Sequence, residues 1–427
     1  SDEIRVALIG TGGRGSGAVS QALHTSGPVK FVAAADAFED RLEGALKNIS
    51  RDKTIAPRID IPDDSKYAGP LGWQTIMDRD DIHLVILTTP PGLRPMMYEA
   101  AVKAGKHVFM EKPVASDAPG VRRILAANEI AKQKNLKVGV GLQRHHQREY
   151  IETVSRLHDG MIGDFVTFRV YWNGGGVWTR GRDELARILG RQPTEMEYQV
   201  RNWYYFNWLC GDHITEQHIH NLDIANWVMQ GHPVKAQGQG GREVRDGQDH
   251  GQIFDHHFVE YTYANGTKMF SQCRHIRGCW NQVSEYVEGT KGRSTIRNSI
   301  DLYDGTKWRN DKGGKNPYQQ EHDDLFEAIR KDQPFNEAEY GAHSTMTSIL
   351  GRYATYSGKE VSWDEALEWG IDGVPEPGGL AFDAQPPVVP DENGRYPVPV
   401  PGRYDPFVPN KERKNLKPVP GRYQPIA

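Results

Sequence analysis

Short runs of consecutive apolar residues recur along the first third of the chain, at Ile4–Ile9, Val29–Ala35, Leu84–Leu87, His107–Phe109 and Val138–Val140. Strands covered on both faces read as unbroken apolar runs. Helical stretches separate them, for example Met97–Ala104 and Ala118–Lys132. This alternation predicts an α/β domain with a parallel sheet and crossover helices. From about Tyr150 the period changes. Phe165–Tyr171 and Val259–Tyr263 alternate polar and apolar positions, and the second runs into Ala264-Asn265-Gly266-Thr267. Asn-Gly tolerates positive φ, so this is a hairpin turn. A large, mainly antiparallel open sheet in an α+β domain is implied. Helical periodicity returns over residues 321–357, ending in Ser344–Tyr356, a helix expected to pack back on the first domain. The boundaries expected are 1–145, 146–370 and 371–427.

The last of these segments holds half of the chain's 26 prolines and repeats Pro-Gly-Arg-Tyr at 401–404 and 420–423. Proline fixes φ and removes a donor, so regular helix or sheet is excluded. Two readings are open. One is a disordered tail. The other, favoured here because aromatics are sparse in solvated tails, is an extended arm wrapping a neighbouring subunit, with Phe382, Tyr396, Tyr404, Phe407 and Tyr423 as anchors beside Trp369.

A length of 427 residues fits at least two cores. A net charge of -4 supplies no basic field for nucleic acid or an anionic membrane. No run approaches the ~20 apolar residues of a membrane helix. Cys210, Cys273 and Cys279 form no CxxC pair. A Cys273–Cys279 bridge is one option and free buried thiols the preferred one. The chain opens at Ser1 with its first apolar run three residues on, which is compatible with removal of a leader.

Gly10-Thr11-Gly12-Gly13-Arg14-Gly15 fits G-x-G-x-x-G between a strand and a helix expected from about Ser16. Gly10 permits the tight turn, Gly12 the approach of a pyrophosphate, and Gly15 close helix packing. Asp36 ends the next strand, where a carboxylate accepts the ribose hydroxyls. It repels a 2′-phosphate and so favours NAD over NADP, although Arg41 works against that preference. Thr88-Thr89-Pro90 and Glu111-Lys112-Pro113 follow two further strands at the same carboxyl edge, where such sheets bind ligands. Lys112 is either a proton-transfer residue or a surface lysine paired with Glu111. The densest polar cluster is 211–223. On one helix, Glu216, His220 and Asp223 share a face, with His213 a turn earlier. Three readings are open: a histidine base oriented by Glu216, metal ligation by His213, Glu216 and His220, or satisfied core polar groups.

Taken together, these motifs resemble the Gfo/Idh/MocA oxidoreductases. The resemblance runs from Ile4 to about Trp363 through the glycine motif, Asp36, 81–91, 104–113, Gly141-Leu142-Gln143-Arg144, Glu216-x-x-x-His220-x-x-Asp223 and Leu350-Gly351-Arg352. It implies that Lys112, Glu216 and His220 are catalytic. It also places Gly10–Gly15, Asp36, Arg41, Thr88, Thr89, Pro90, Glu111, Lys112 and Gln143 around NAD. Arg144, His145, Trp203, Tyr204, His213 and Asp223 are then expected to meet the substrate, with no resident metal. The chain departs from the family in having Arg94 where a histidine is common and Glu216 where aspartate is usual. The segment 201–208 is unusually aromatic, and flat rings suit the C–H faces of a pyranose. The glycine motif and the proline-rich tail resemble exported members of the family, which implies a tightly held cofactor and a cell-envelope location. The expected reaction is NAD-dependent oxidation of a ring hydroxyl of a sugar, glycoside or polyol. A glycosidase or lyase with transient oxidation is the alternative. The resemblance also implies a homodimer or homotetramer formed through the open sheet and the arm.

Overall fold

A computed structural model describes residues 3–310, 312–371 and 373–407. The first apolar runs form the strands they predict: β1 (Ile4–Ile9), β2 (Val29–Asp36), β4 (Leu84–Leu87), β5 (His107–Met110) and β6 (Val138–Val140). A short edge strand, β3 (Lys66–Ala68), has no apolar run and is not foreseen. All pair in parallel in the order β3-β2-β1-β4-β5-β6. This is the doubly wound arrangement whose order reverses between β1 and β4, leaving a crevice at their carboxyl ends. The crossovers carry α1 (Gly13–Leu23), α2 (Glu39–Ile49), α3 (Trp73–Met77), α4 (Arg94–Lys103) and α5 (Ala118–Gln133).

Beyond this lie α6 (Arg148–His158), β7 (Phe165–Gly174), α7 (Arg182–Leu189), α8 (Glu195–Arg201), α9 (Asn207–Cys210), α10 (His213–Glu216) and α11 (Ile219–Met229). The strands β8 (Lys235–Gly241), β9 (His256–Thr262), β10 (Lys268–His275), β11 (Gln282–Gly289), β12 (Gly292–Ser294), β13 (Ser299–Leu302), β14 (Lys307–Arg309) and β15 (Val361–Ser362) complete a second sheet. Its order is β14-β13-β12-β11-β7-β10-β9-β8-β15. The Asn265-Gly266 turn joins β9 to β10 in an antiparallel hairpin, and only β7 and β10 run parallel. One face alternates into the core, with Met269, Ser271, Cys273 and His275 of β10 all buried. The other face is open, and Phe258 and Phe270 stack there with centroids 6.5 Å apart.

Of the late helices α12 (Pro317–Lys331) and α13 (Ala338–Ser357), α13 packs against both sheets, and α14 (Trp363–Trp369) follows. Leu325 and Phe326 of α12 join the core under β1, β2 and α1. On the opposite side, one continuous core runs from α4 and α5 through α13 into the second sheet. Arg352 donates to the Ser116 carbonyl at 2.8 Å across that seam.

The described part of the proline-rich arm grips its own chain, because each aromatic anchor finds an intrachain partner. Phe382 stacks on Phe38, Tyr396 meets Phe206, Tyr404 meets Tyr356 and Phe407 meets Tyr353. Tyr423 and the second Pro-Gly-Arg-Tyr lie outside the described residues. All three cysteines are free, as preferred from the sequence; Cys210 and Cys273 are buried, whereas Cys279 is exposed in the loop after β10.

Candidate active site

At the crevice, Gly10 has φ +94° and a Cβ there would come within 2.7 Å of the Thr89 backbone nitrogen. A Cβ on Gly15 would come within 2.1 Å of the Gly10 carbonyl oxygen. Gly12 and Gly13 have open space where a Cβ would stand, and α1 has neither a side-chain cap nor an acidic residue in its first turn. Uncapped N–H groups at a helix N-terminus, with open space before them, suit a pyrophosphate. Asp36 accepts from the Thr11 N–H at 2.7 Å, the Thr11 hydroxyl at 2.9 Å and the Phe38 N–H at 2.9 Å. These bonds fix its carboxylate beside the glycine loop. A dinucleotide therefore fits the groups present.

A cavity of about 430 Å³ opens from this loop, within the range of ligand pockets. Gly10, Gly12, Gly13, Arg14, Gly15, Asp36, Arg41, Thr88, Thr89, Pro90, Trp203, Tyr204 and Glu216 all reach its wall. The remaining expected residues stand behind it. Glu111 is buried and accepts from the Arg14 guanidinium at 2.6 and 2.9 Å; it accepts from the Lys112 backbone N–H at 3.3 Å but is not the partner of the Lys112 ammonium. Gln143 donates to the Tyr318 hydroxyl at 3.2 Å.

Lys112 instead reaches across to the start of the second domain. Its Nζ donates to the Glu216 carbonyl and lies 3.7 Å from Glu216 Oε1. Both side chains are largely buried. Burial raises the pKa of the Glu216 carboxyl, against the pull of Lys112 and Arg94. His220 lies nearby, buried and stacked on Trp172, and its Nδ1 has no hydrogen-bond partner. Burial, then the charges of Lys112, Arg144 and Arg14, hold its pKa well below the ordinary range. The ring is neutral and has a lone pair to offer.

The single-helix reading of 211–223 fails. α10 ends at Glu216 and α11 begins at Ile219, with the break at Gln217 and His218. Glu216 consequently faces Lys112, and no hydrogen bond joins it to His220. His213, Glu216 and His220 do not converge on one point. His213 is fully buried behind the cavity, with its Nδ1 2.7 Å from Asp212 and its ring stacked on His275. Asp212, His213 and His257 do cluster. The Asp212 carboxylate already accepts from the Phe254 N–H and the Tyr356 hydroxyl, and Arg245 stands 3.4 Å from His213 Nδ1. A guanidinium so placed makes this a hydrogen-bonded core network.

The other expected substrate contacts are also satisfied internally, which keeps them off the cavity wall. Arg144 pairs with the buried Glu285, which also accepts from the Tyr150 hydroxyl. His145 lies between Trp227 and Tyr340 and bonds Asp223 at 2.7 Å, and Ser344 donates to the other Asp223 oxygen at 2.7 Å. Arg94, at the family's histidine position, is buried and ties the carbonyls of Thr89, Glu111 and Pro113 together, holding two crevice loops in register.

Several wall residues escape the motifs: Phe38, Trp73, Trp178, Arg201, Gln217 and Phe382. Gln217 accepts from His275 at 2.7 Å, so its amide nitrogen is the group left for a ligand. Only the polarity of 211–223 hinted at it.

Comparison with known proteins agrees with this geometry. Residues 4–142 match the model of the Gfo/Idh/MocA oxidoreductase family, NAD-binding Rossmann fold. A glycosyl hydrolase family 109 protein of Shewanella sp. (strain W3-18-1) is 28% identical over 202 residues, 47% of this chain and 39% of that one. An inositol 2-dehydrogenase of Gluconacetobacter diazotrophicus is 26% identical over 232 residues, 54% of this chain and 56% of that one. The match thus spans about half the length of these curated relatives. Among solved structures, the aldose-aldose oxidoreductase from Caulobacter crescentus in complex with glycerol superposes with a TM-score of 0.64 at 18% identity. It covers 84% of this chain and 99% of its own. Levoglucosan dehydrogenase in complex with NADH and levoglucosan gives 0.64 at 17%, with the same coverage. These two likenesses establish the shared fold.

Proposed function

We propose that this protein oxidises a ring hydroxyl of a sugar, glycoside or polyol with NAD. The observation that carries the reading is a cavity whose floor is a dinucleotide cradle and whose wall includes Glu216, with Lys112 paired to Glu216 and a neutral His220, its Nδ1 unpartnered, behind that wall. Bound NAD supplies the hydride acceptor. The glycine loop and Asp36 hold it. His220 takes the hydroxyl proton, since a buried neutral imidazole accepts but does not repel. Lys112, positioned by the Glu216 carbonyl and carboxylate, holds the reacting oxygen. Trp203 and Tyr204 offer ring faces to the C–H face of a sugar.

The test is absorbance at 340 nm with NAD and a panel of free sugars, polyols and aryl glycosides. NADH accumulating over many turnovers is the expected result. Lys112→Ala and His220→Ala are each expected to lower kcat by about 100-fold or more while the protein still binds NAD. Unchanged turnover removes that residue from the mechanism. A second reading is favoured by the family 109 glycosyl hydrolase relative: glycoside cleavage in which oxidation is transient. The same assay separates them, because a signal capped at one equivalent per site with release of aglycone marks cleavage.

The open sheet face, with Phe258 42% and Trp280 59% exposed, fits a second copy of the chain. Light scattering is expected to give a dimer or tetramer, and Phe258→Asp to shift it toward monomer. A monomeric wild type removes this part of the proposal.

A further inference from the structure

The chain leaves α14 at Gly370 and returns at Phe407, which forms an isolated antiparallel bridge with Gly370, while the Ile371 N–H donates to the Pro406 carbonyl at 3.0 Å. Between these points the segment crosses the mouth of the cavity. Leu380 and Phe382 join its wall at the end where Asp36, Phe38, Arg41, Pro70 and Trp73 stand. Given the place of Asp36, this is the adenosine end.

The crossing is fastened on both sides. Before it, the Glu376 carboxylate pairs with Arg123 at 3.0 Å. At the crossing, the Phe382 ring lies parallel to Phe38, with centroids 5.2 Å and planes 4° apart. The Phe382 carbonyl accepts from the Thr194 hydroxyl. After it, Gln199 donates to the Val388 carbonyl at 2.7 Å, Gln248 to the Asn393 carbonyl at 2.6 Å, and Arg182 to the Tyr396 hydroxyl at 2.9 Å. Phe38 is held from the second domain as well, since the Arg201 guanidinium lies 3.9 Å from its ring centroid and pairs with Asp40 at 2.7 Å. Three separate stretches of sequence thus close one end of the cofactor cavity.

We propose that residues 373–407 form a retaining strap for the dinucleotide, with Leu380 and Phe382 as its outer wall at the adenosine end. An aromatic and an aliphatic side chain at this place exclude water and cover a purine face, and ring stacking is tolerant of the base it covers. Release from the adenosine end requires the strap to lift, against every fastening above. The strap slows exchange of the dinucleotide, so that cofactor release paces the appearance of free NADH.

The proposal rests on reading the cavity as a cofactor site, and the experiment keeps the two apart. Protein loaded with NADH is mixed with excess NAD, and loss of bound NADH fluorescence gives a release rate. Slow release is expected from the wild type. Release about tenfold faster is expected from Phe382→Ala, with Phe382→Trp restoring the slow rate. Tyr396→Phe, which removes a fastening and leaves the cavity wall intact, is expected to give an intermediate rate, and it decides the matter if Phe382→Ala does not fold. Release at the wild-type rate in Phe382→Ala, or in Tyr396→Phe where that variant decides, overturns the strap but leaves the cofactor site standing. A wild type that holds no NADH at all removes the cofactor site and the strap together.

Discussion

His146 stands between two carboxylates, with its Nδ1 bonded to Asp324 and its Nε2 2.7 Å from Glu337. These partners outweigh burial and push its pKa from 6.5 up to about 10. A pKa raised on folding gives stability that is complete below the unfolded value and is lost as pH climbs through the folded one. The stability difference between wild type and His146→Gln is therefore expected to be greatest below about pH 6.5 and to shrink towards pH 10. Urea titrations across that range would show it, and a pH-independent difference would contradict the charged assignment. A second residue-scale prediction concerns Gly15, where a Cβ would meet the rigid Gly10 carbonyl. Gly15→Ala is expected to weaken NAD binding by about tenfold or more, measured by calorimetry. Much of this scale is legible in the primary structure, because a glycine spacing or a lysine after a strand encodes its own geometry. The partner of Lys112 is not, since Glu111 is adjacent in sequence yet taken by Arg14 from 97 residues away.

At the scale of elements, the informative feature is the interruption between α10 and α11. Asp212 adopts φ +72° ahead of α10, and its buried carboxylate accepts from the Phe254 N–H and the Tyr356 hydroxyl on two other segments. Those tertiary bonds override the helical spacing of 213–223, so a periodicity argument places Glu216 on the wrong side of the site. The reverse case is α5. There Asp117 caps the helix by accepting from the Gly120 N–H at 2.8 Å, with Pro119 in the first turn, a start signal readable from local residues alone. Its other oxygen accepts from the Gly373 N–H at 3.2 Å. Asp117→Ala is expected to cost about 1–2 kcal/mol in thermal or urea unfolding, as loss of a helix cap does.

For the whole molecule, the apolar runs and the change of period lead to the two kinds of sheet, because each sheet's exposure sets its own pattern. They could not reveal that α13 packs against both sheets, nor where the proline-rich segment lies. Proline and scattered aromatics specify extended chain and surface-seeking rings but carry no address; that is supplied by Phe38, Tyr356 and Tyr353, each remote in sequence. The meeting of Gly370 with Phe407 has a consequence of its own. Because entry and exit touch, the excursion between them is a detachable cassette: splicing one to the other leaves every strand pairing of both sheets in place. An engineer can therefore ask with one deletion whether a cofactor that exchanges slowly becomes one that exchanges fast.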